Sequence, residues 1–407
     1  MNPAEAAERA ARHSYGKLVA FLAARTRDVA GAEDALSEAF ATALADWPAR
    51  GVPDNPEAWL LTVARRRMVD AVRERIHGEE AAAHLLWLCE LQDEVQEEGA
   101  LPDRRLELLF ACAHPGIDAG VRAPLMLQTV LGFDAAAIAS AFLVAPAAMS
   151  QRLVRAKTKI RMAGIAFEVP PRSRLAERLD SVLEAIYACY AEGWSDALGA
   201  DPRRRNLADE AIWLGMLVSR LLPDEPEALG LVALMLHSHA RRRARRNAQG
   251  GYVPLAEQDE ALWDGELIDE AERLLQHASR FGRAGRYQLE AAIQSAHNVR
   301  RYAGAVDWRA IVSLYDALQA ITGSPVAALN RAVALAQAED AGVALAALAE
   351  LESDARLAQY QPYWAARAEL LARCGRRDEA REAYAMAIGL ERDEDVRVFL
   401  QGRMAKV

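Results

Sequence analysis

The chain has little of what marks several large protein classes. Its four cysteines, Cys89, Cys112, Cys189 and Cys374, lie far apart and form no CxxC pair. That excludes a zinc knuckle or a disulfide framework and fits a reducing cytoplasm. No apolar run reaches the roughly 18 residues of a membrane span. "AIWLGMLVSRLL" and "LGLVALML" are too short and read as buried core helices. The opening "MNPAEAAERAARHSYGK" lacks the apolar centre of a signal peptide. GxGxxG, GxxxxGK and HExxH are absent, so nucleotide binding and zinc hydrolysis find no support. His237 and His239 are two apart and cannot share a helix face, and Cys112 and His114 read as core near a helix end. No catalytic residue, metal or cofactor is expected. Overall positive charge is lacking too. The formal net charge is -9, so any nucleic-acid contact must come from local charge.

Alanine is abundant, while aromatic residues are only 6% and β-branched residues are sparse. That composition favours an all-α fold. Two breaks divide the chain. "GEEAAAHLLWLCELQDEVQEEGALPD" is rich in acids and has no Lys or Arg. "FEVPPRSR" stops any helix at two adjacent prolines. The expected domains are 1–77, an acidic linker over 78–103, a second domain over 104–166, and a third over 172–407.

The third block repeats. Trp364, Ala368, Leu371, Ala380, Tyr384 and Ala387 fall at tetratricopeptide spacing, and Ala328, Ala332, Leu335, Ala344 and Leu348 take matching positions one repeat earlier. Small alanines let paired helices approach, and larger residues fill the gaps. Tyr287 to Ile321 reads as a less regular pair. Arg392 stands where the pattern usually has proline, so the last helix is expected to run on toward Phe399. Solenoids usually present a binding surface, here for a protein or a signal. "HSHARRRARRNAQGG", His237 to Gly251, reads as a solvated helix end before a loop, with DNA or the acidic linker as other partners. "DPRRRN" reads as a polar loop.

Two helices concentrate positive charge. Arg122 to Leu131 is one helix, ended by Gly132. Asp134 caps the next, which runs to about Phe142, and Pro146 opens a third after a short turn. Ile138, Phe142, Val144, Met149 and Leu153 let the last two cross at a wide angle, as in a helix-turn-helix. In that motif Ala147, Ala148, Ser150 and Gln151 face bases, while Arg152, Arg155, Lys157 and Lys159 neutralise phosphates. No acid lies between Asp134 and Glu168. A solvated charged face is the bland alternative. The other basic helix, Pro56 to Ile76, sets Arg65, Arg66, Arg67, Arg73 and Arg75 opposite an apolar stripe of Trp59, Leu60, Val63, Met68 and Val72. Upstream, Glu33, Asp34, Glu38 and Asp46 give an acidic helix.

These segments together resemble a bacterial sigma factor of the extracytoplasmic-function (ECF) type. "AGAEDALSEAFATALADW" and "NPEAWLLTVARRRMVDAVRER" are similar to conserved region 2, and "LGFDAAAIASAFLVAPAAMSQRLVRAKTKI" to region 4. The rest resembles the subgroup with a C-terminal tetratricopeptide-like domain. The resemblance implies a non-enzyme that binds core RNA polymerase, at the beta-prime clamp helices and the beta flap, and promoter DNA. It places Glu33, Asp34, Leu36, Glu38 and Phe40 on the clamp helices. Trp59, Arg65, Arg66, Arg67 and Arg73 fall at the −10 element, with the loop of residues 49–55 holding a flipped base. Ala147, Ala148, Ser150, Gln151, Arg152, Arg155, Lys157 and Lys159 fall at the −35 element. The acidic linker would thread a basic polymerase channel, and the C-terminal domain would regulate in cis. An ordinary helix-turn-helix regulator with a repeat sensor would leave the Arg65–Arg67 helix unexplained. A tetratricopeptide scaffold would leave both basic helices without a purpose.

Overall fold

The computed structural model describes residues 2–75, 103–142, 144–195, 207–391 and 393–407. The acidic linker, apart from Asp103, and the "DPRRRN" motif lie outside the described residues. The fold is all-α, with no strand among the described residues. The chain divides into two compact units, one reaching Ser195 and one running from Ile212 to Val407.

The first unit begins with three long helices: α1 (Pro3–Thr26), α2 (Val29–Arg50) and α3 (Pro56–Arg75). Each start is set by a short polar side chain. Asn2, Asp28 and Asn55 accept from the backbone N–H of Ala4, Gly31 and Ala58 at 3.1, 3.0 and 3.1 Å, satisfying donors the helix cannot pair internally. Leu18, Leu22, Leu36, Trp47, Leu60, Leu61 and Met68 are buried in this three-helix assembly. Trp47 and Trp59 meet edge to face, ring centres 5.5 Å apart, and tie the end of α2 to the start of α3.

Next come α4 (Arg105–Cys112), α5 (Ala119–Leu131), α6 (Ala135–Ala141) and α7 (Pro146–Met162). Gly132 ends α5 in the left-handed region at φ 73°, as a helix C-terminus often requires. Asp134 accepts from Ala137 N–H at 2.7 Å and starts α6. Ala145 precedes α7 with no side-chain cap, and Pro146 takes the first helical position. Ile138, Ala139, Met149 and Leu153 are buried. Cys112 lies in the core, its sulfur 3.4 Å from the Thr129 hydroxyl, and burial pushes its thiol up to about 12.

The sequence puts a domain break at Pro170 and Pro171, but the first unit continues through α8 (Arg172–Ser195). Leu175, Leu179, Val182, Leu183, Ile186, Cys189 and Tyr190 give this helix one fully apolar face, which needs a partner in water. It packs on α4 and α5. Arg178 donates to the Phe110 carbonyl at 2.8 Å and Arg122 to the Ser181 hydroxyl at 3.2 Å. The preceding helix has already ended at Met162, and the prolines stand just before α8 without ending the unit.

The helix α9 (Leu207–Leu221) belongs to the first unit up to Ala211 and to the second from Ile212. In the second unit, α10 (Pro226–Ala240) is buried nearly all round between α11 (Gly265–Ser279) and α12 (Arg286–Asn298). Gly230 lets α10 approach α12, since a Cβ there would sit 2.7 Å from Gln288 N. Glu227 caps α12 by accepting from the backbone N–H groups of Tyr287 and Gln288 at 2.9 and 3.2 Å. The basic run after α10 is not the solvated helix end its composition suggests. Arg241 is buried and donates to Asn298 at 3.0 Å, and Arg246 pairs with Asp393 and Asp395. These guanidiniums brace the unit; Arg242 and Arg243 are the exposed members.

After the short α13 (Arg300–Ala303), the helices α14 (Trp308–Thr322), α15 (Pro325–Ala338), α16 (Ala341–Ala349), α17 (Gln361–Arg373), α18 (Arg377–Leu390) and α19 (Glu394–Met404) pack in sequence order. Ala332, Leu335, Ala344 and Leu348 share one buried cluster. Ala368, Leu371, Ala380, Tyr384 and Ala387 share the next, and Trp364 packs against both. The last helix does not run on to Phe399. It stops at Leu390, and Asp393 caps a new helix by accepting from Asp395 N–H at 2.9 Å.

Candidate nucleic-acid interface

The face of α7 follows from its buried residues. Met149, Leu153, Ala156 and Ile160 point into the core, at the three- and four-residue steps of one helix side. Ala147, Ser150, Gln151, Arg152, Val154, Arg155, Thr158 and Lys159 are exposed, and Ala148 is half-buried. With 100° per residue, Ala147, Gln151, Val154 and Thr158 form a continuous outer stripe. Arg152, Arg155 and Lys159 flank it on one side. They line a cleft of about 430 Å³ with Ile117, Asp118, Val121 and Ala156. The stripe is short-chained and neutral, its flank is cationic, and the acid-free window of the sequence is thereby explained. Val154 escaped the sequence reading. It is 58% exposed on the outer stripe, where its methyl groups suit contact with an apolar base edge.

Lys157 lies on the opposite flank and is not on the exposed face with the other cations. Its ammonium donates to the Glu33 carboxylate of α2, and the two side chains are only 10% and 9% exposed. Burial pushes the Glu33 carboxyl above its ordinary range; Lys157 opposes this and Asp34 adds to it. Burial, then Glu33 and Asp34, push the neighbouring Tyr15 phenol up as well. Two residues expected on separate binding faces are therefore buried against each other. The signal lay in neither helix alone, because the pair spans 124 positions.

On α2, Asp34 and Glu38 are exposed as expected, and Phe40 is half-buried. Leu36 is fully buried and belongs to the core, not to a docking face. The residue that occupies its expected place is Leu44, 54% exposed on the same side as Asp34, Glu38 and Ala41. On α3, Arg66 and Arg67 are exposed and Arg65 is half-buried. Arg73 lies within the helix, and its side chain is outside the described residues. Trp59 is half-buried against Trp47, so it shapes the α2–α3 corner. Arg67 Nε sits 3.1 Å from Glu38 with both side chains more than half exposed. Such a pair is worth about 0–1 kcal/mol and can be surrendered to a partner. Residues 51–55 form the loop between these helices, with Asp54 and Asn55 exposed.

Residues 11–76 match the model of sigma-70 region 2. Residues 178–279 match a family of unknown function, DUF6596, which begins inside α8. An uncharacterised protein of Rhizobium meliloti (strain 1021) is 42% identical over 365 residues, covering 88% of this chain and 86% of the relative. No solved structure matches. Region 2 carries with it the binding of core RNA polymerase and promoter DNA, which accounts for an acidic and a basic helix side by side. With that domain at its N-terminus, and alike to the Rhizobium protein along most of its length, the chain belongs to the sigma-70 family of sigma factors.

Proposed function

We propose that the chain is a sigma factor of the extracytoplasmic-function type whose residues 104–166 act as region 4. The exposed side of α2, with Asp34, Glu38 and Leu44, docks on the beta-prime clamp helices. Arg66, Arg67 and Arg73 of α3 hold phosphates at the −10 element, and the loop after α2 receives a flipped base. The α6–α7 pair works as a helix-turn-helix. Ala147, Ser150, Gln151 and Val154 read the −35 element, and Arg152, Arg155 and Lys159 grip its backbone. The polymerase supplies the catalysis. One observation carries this reading: an acid-free helix presents a neutral stripe flanked by three cations, in the same compact unit as the region 2 match.

The C-terminal helices act as a tetratricopeptide-like domain that regulates in cis and receives a protein or a signal. The two alanine-lined clusters at repeat spacing support that reading. Selection of DNA from a random pool by the reconstituted holoenzyme tests the main proposal. The expected result is a bipartite motif with a fixed spacer. A single site, bound by the chain without polymerase, would instead favour an ordinary regulator.

A further inference from the structure

The second unit holds a cavity of about 360 Å³ that no proposed contact with promoter or polymerase uses. Its walls follow from helix periodicity. Trp308, Ile311 and Tyr315 stand at three- and four-residue steps on α14, and Asn330, Val333, Ala334 and Gln337 do so on α15, so each helix turns one side to it. A strap that includes Leu255, Ala256 and Trp263 closes the far wall. Arg300 fastens this strap. It pairs with Glu260 and donates to the carbonyls of Leu255, Ala256 and Gln258 at 3.4, 3.2 and 3.2 Å. Its guanidinium also lies 5.3 Å from the centre of the Trp263 ring. Asn330, Val333 and Gln337 are exposed and mark the mouth.

Two features set this cavity apart from a packing gap. Its lining is aromatic: Trp263, Trp308 and Tyr315, with His297 edge to face on Trp308 at 5.4 Å between ring centres. Polar groups also converge on it unpaired. The His297 ring, the Trp308 indole N–H, the Tyr315 hydroxyl and the amides of Asn330 and Gln337 make no hydrogen bond to another described residue. The Trp263 indole N–H is buried and has no partner either. A dry apolar void needs none of these groups.

Charge decides the kind of ligand. Burial, then Arg241 and Arg300, hold His297 down to about 4, so its ring is neutral at pH 7 with one donor and one acceptor. Burial, with Glu290, pushes the Tyr315 phenol up to about 12. A cation would meet Arg241 and Arg300, both over the Trp263 ring. An anion would find Arg300 already matched by Glu260. Desolvating either charge without a partner is costly. A neutral ring meets aromatic faces, and its polar substituent meets the unpaired groups. Ligand cavities run from about 300 to 1,000 Å³, so this one takes one or two rings and not a peptide.

We propose that this cavity binds a small neutral aromatic molecule of one or two rings that carries an amide or hydroxyl group. This names the kind of signal that the C-terminal helices receive, and rests on the regulatory reading above for that purpose alone.

The test is isothermal titration calorimetry of the full chain with three molecules of one skeleton: neutral indole-3-acetamide, anionic indole-3-acetate and cationic tryptamine. The amide should bind at one molecule per chain with a Kd of about 1 mM or tighter, as ~13 non-hydrogen atoms at ordinary ligand efficiency allow. The two charged molecules should bind at least about tenfold more weakly. Val333→Trp, which fills the mouth, should abolish binding of the amide. Asn330→Leu with Gln337→Leu, both exposed, should weaken it about tenfold and carry the test if Val333→Trp fails to fold. Val398→Trp, exposed on α19 and outside the cavity, should leave it unchanged. No saturable binding of the amide at about ten times the expected Kd overturns the proposal. So does binding that survives Val333→Trp, or tighter binding of either charged molecule. The titration needs no polymerase. A chain that binds the amide but never core refutes the sigma-factor reading alone, and a chain that binds core but not the amide refutes the cavity proposal alone.

Discussion

The cationic flank of α7 gives the most quantitative prediction. Arg152, Arg155 and Lys159 line one cleft and are exposed, so Arg152→Ala, Arg155→Ala and Lys159→Ala together should remove three phosphate contacts without disturbing the buried side of the helix. Alanine keeps helix propensity high. Each lost contact on B-form DNA changes the slope of log affinity against log salt by about 0.9, so the triple variant should flatten it by about 2.7. Between 50 and 200 mM salt the native holoenzyme should therefore lose about 40-fold more affinity than the variant. Fluorescence anisotropy of a labelled promoter fragment, titrated with holoenzyme at several salt concentrations, reads this directly. Parallel slopes for the two holoenzymes would refute the phosphate assignment and leave these side chains as solvated surface. A thermal melt with unchanged midpoint guards against a folding artefact.

The exposed side of α2 predicts that Leu44→Asp lowers core affinity at least about tenfold with little change in thermal stability, since Leu44 is mostly in solvent. Trp47→Ala should destabilise the first unit by about 3–5 kcal/mol, measured by denaturant unfolding, because it removes a buried indole and half of an aromatic pair. In the second unit, burial and then Arg241 hold His237 down to about 3, despite Glu272 at 3.6 Å; burial, Arg241 and Arg300 hold His297 at about 4. Both folded values lie below the unfolded 6.5, so their contribution is complete above that pH and is lost as the pH falls through the window. At pH 5 linkage gives a loss of about 2 kcal/mol for each, visible as a lower melting temperature that His237→Asn should partly remove. Ending the chain after Ser195 keeps α8 on its neighbours and should change promoter-dependent transcription. Unchanged transcription and core affinity would refute regulation in cis.

The helix pattern was largely legible in the residues. Gly132, Asp134 and Pro146 punctuate α5, α6 and α7 where local rules put them, since caps act within one turn. The alanine spacing of the last helices was legible for the same reason, being a local repeat. What escaped was set by distant partners. Leu36 looks like a docking residue, yet it is fully buried once α2 packs on its neighbours. Arg241 and Arg246 look like surface charge, yet their partners stand more than 50 and nearly 150 positions away. The prolines at 170 and 171 stand just before the start of α8, but the apolar face of that helix decides the unit to which it belongs. The same limit hid the meeting of Glu33 and Lys157.

The central claim is tested most directly by mixing the purified chain with core RNA polymerase and a promoter recovered by selection, then measuring run-off transcription. The account predicts a stoichiometric complex and a transcript of defined start that needs both components. No complex with core, or a transcript equally abundant without the chain, would contradict it.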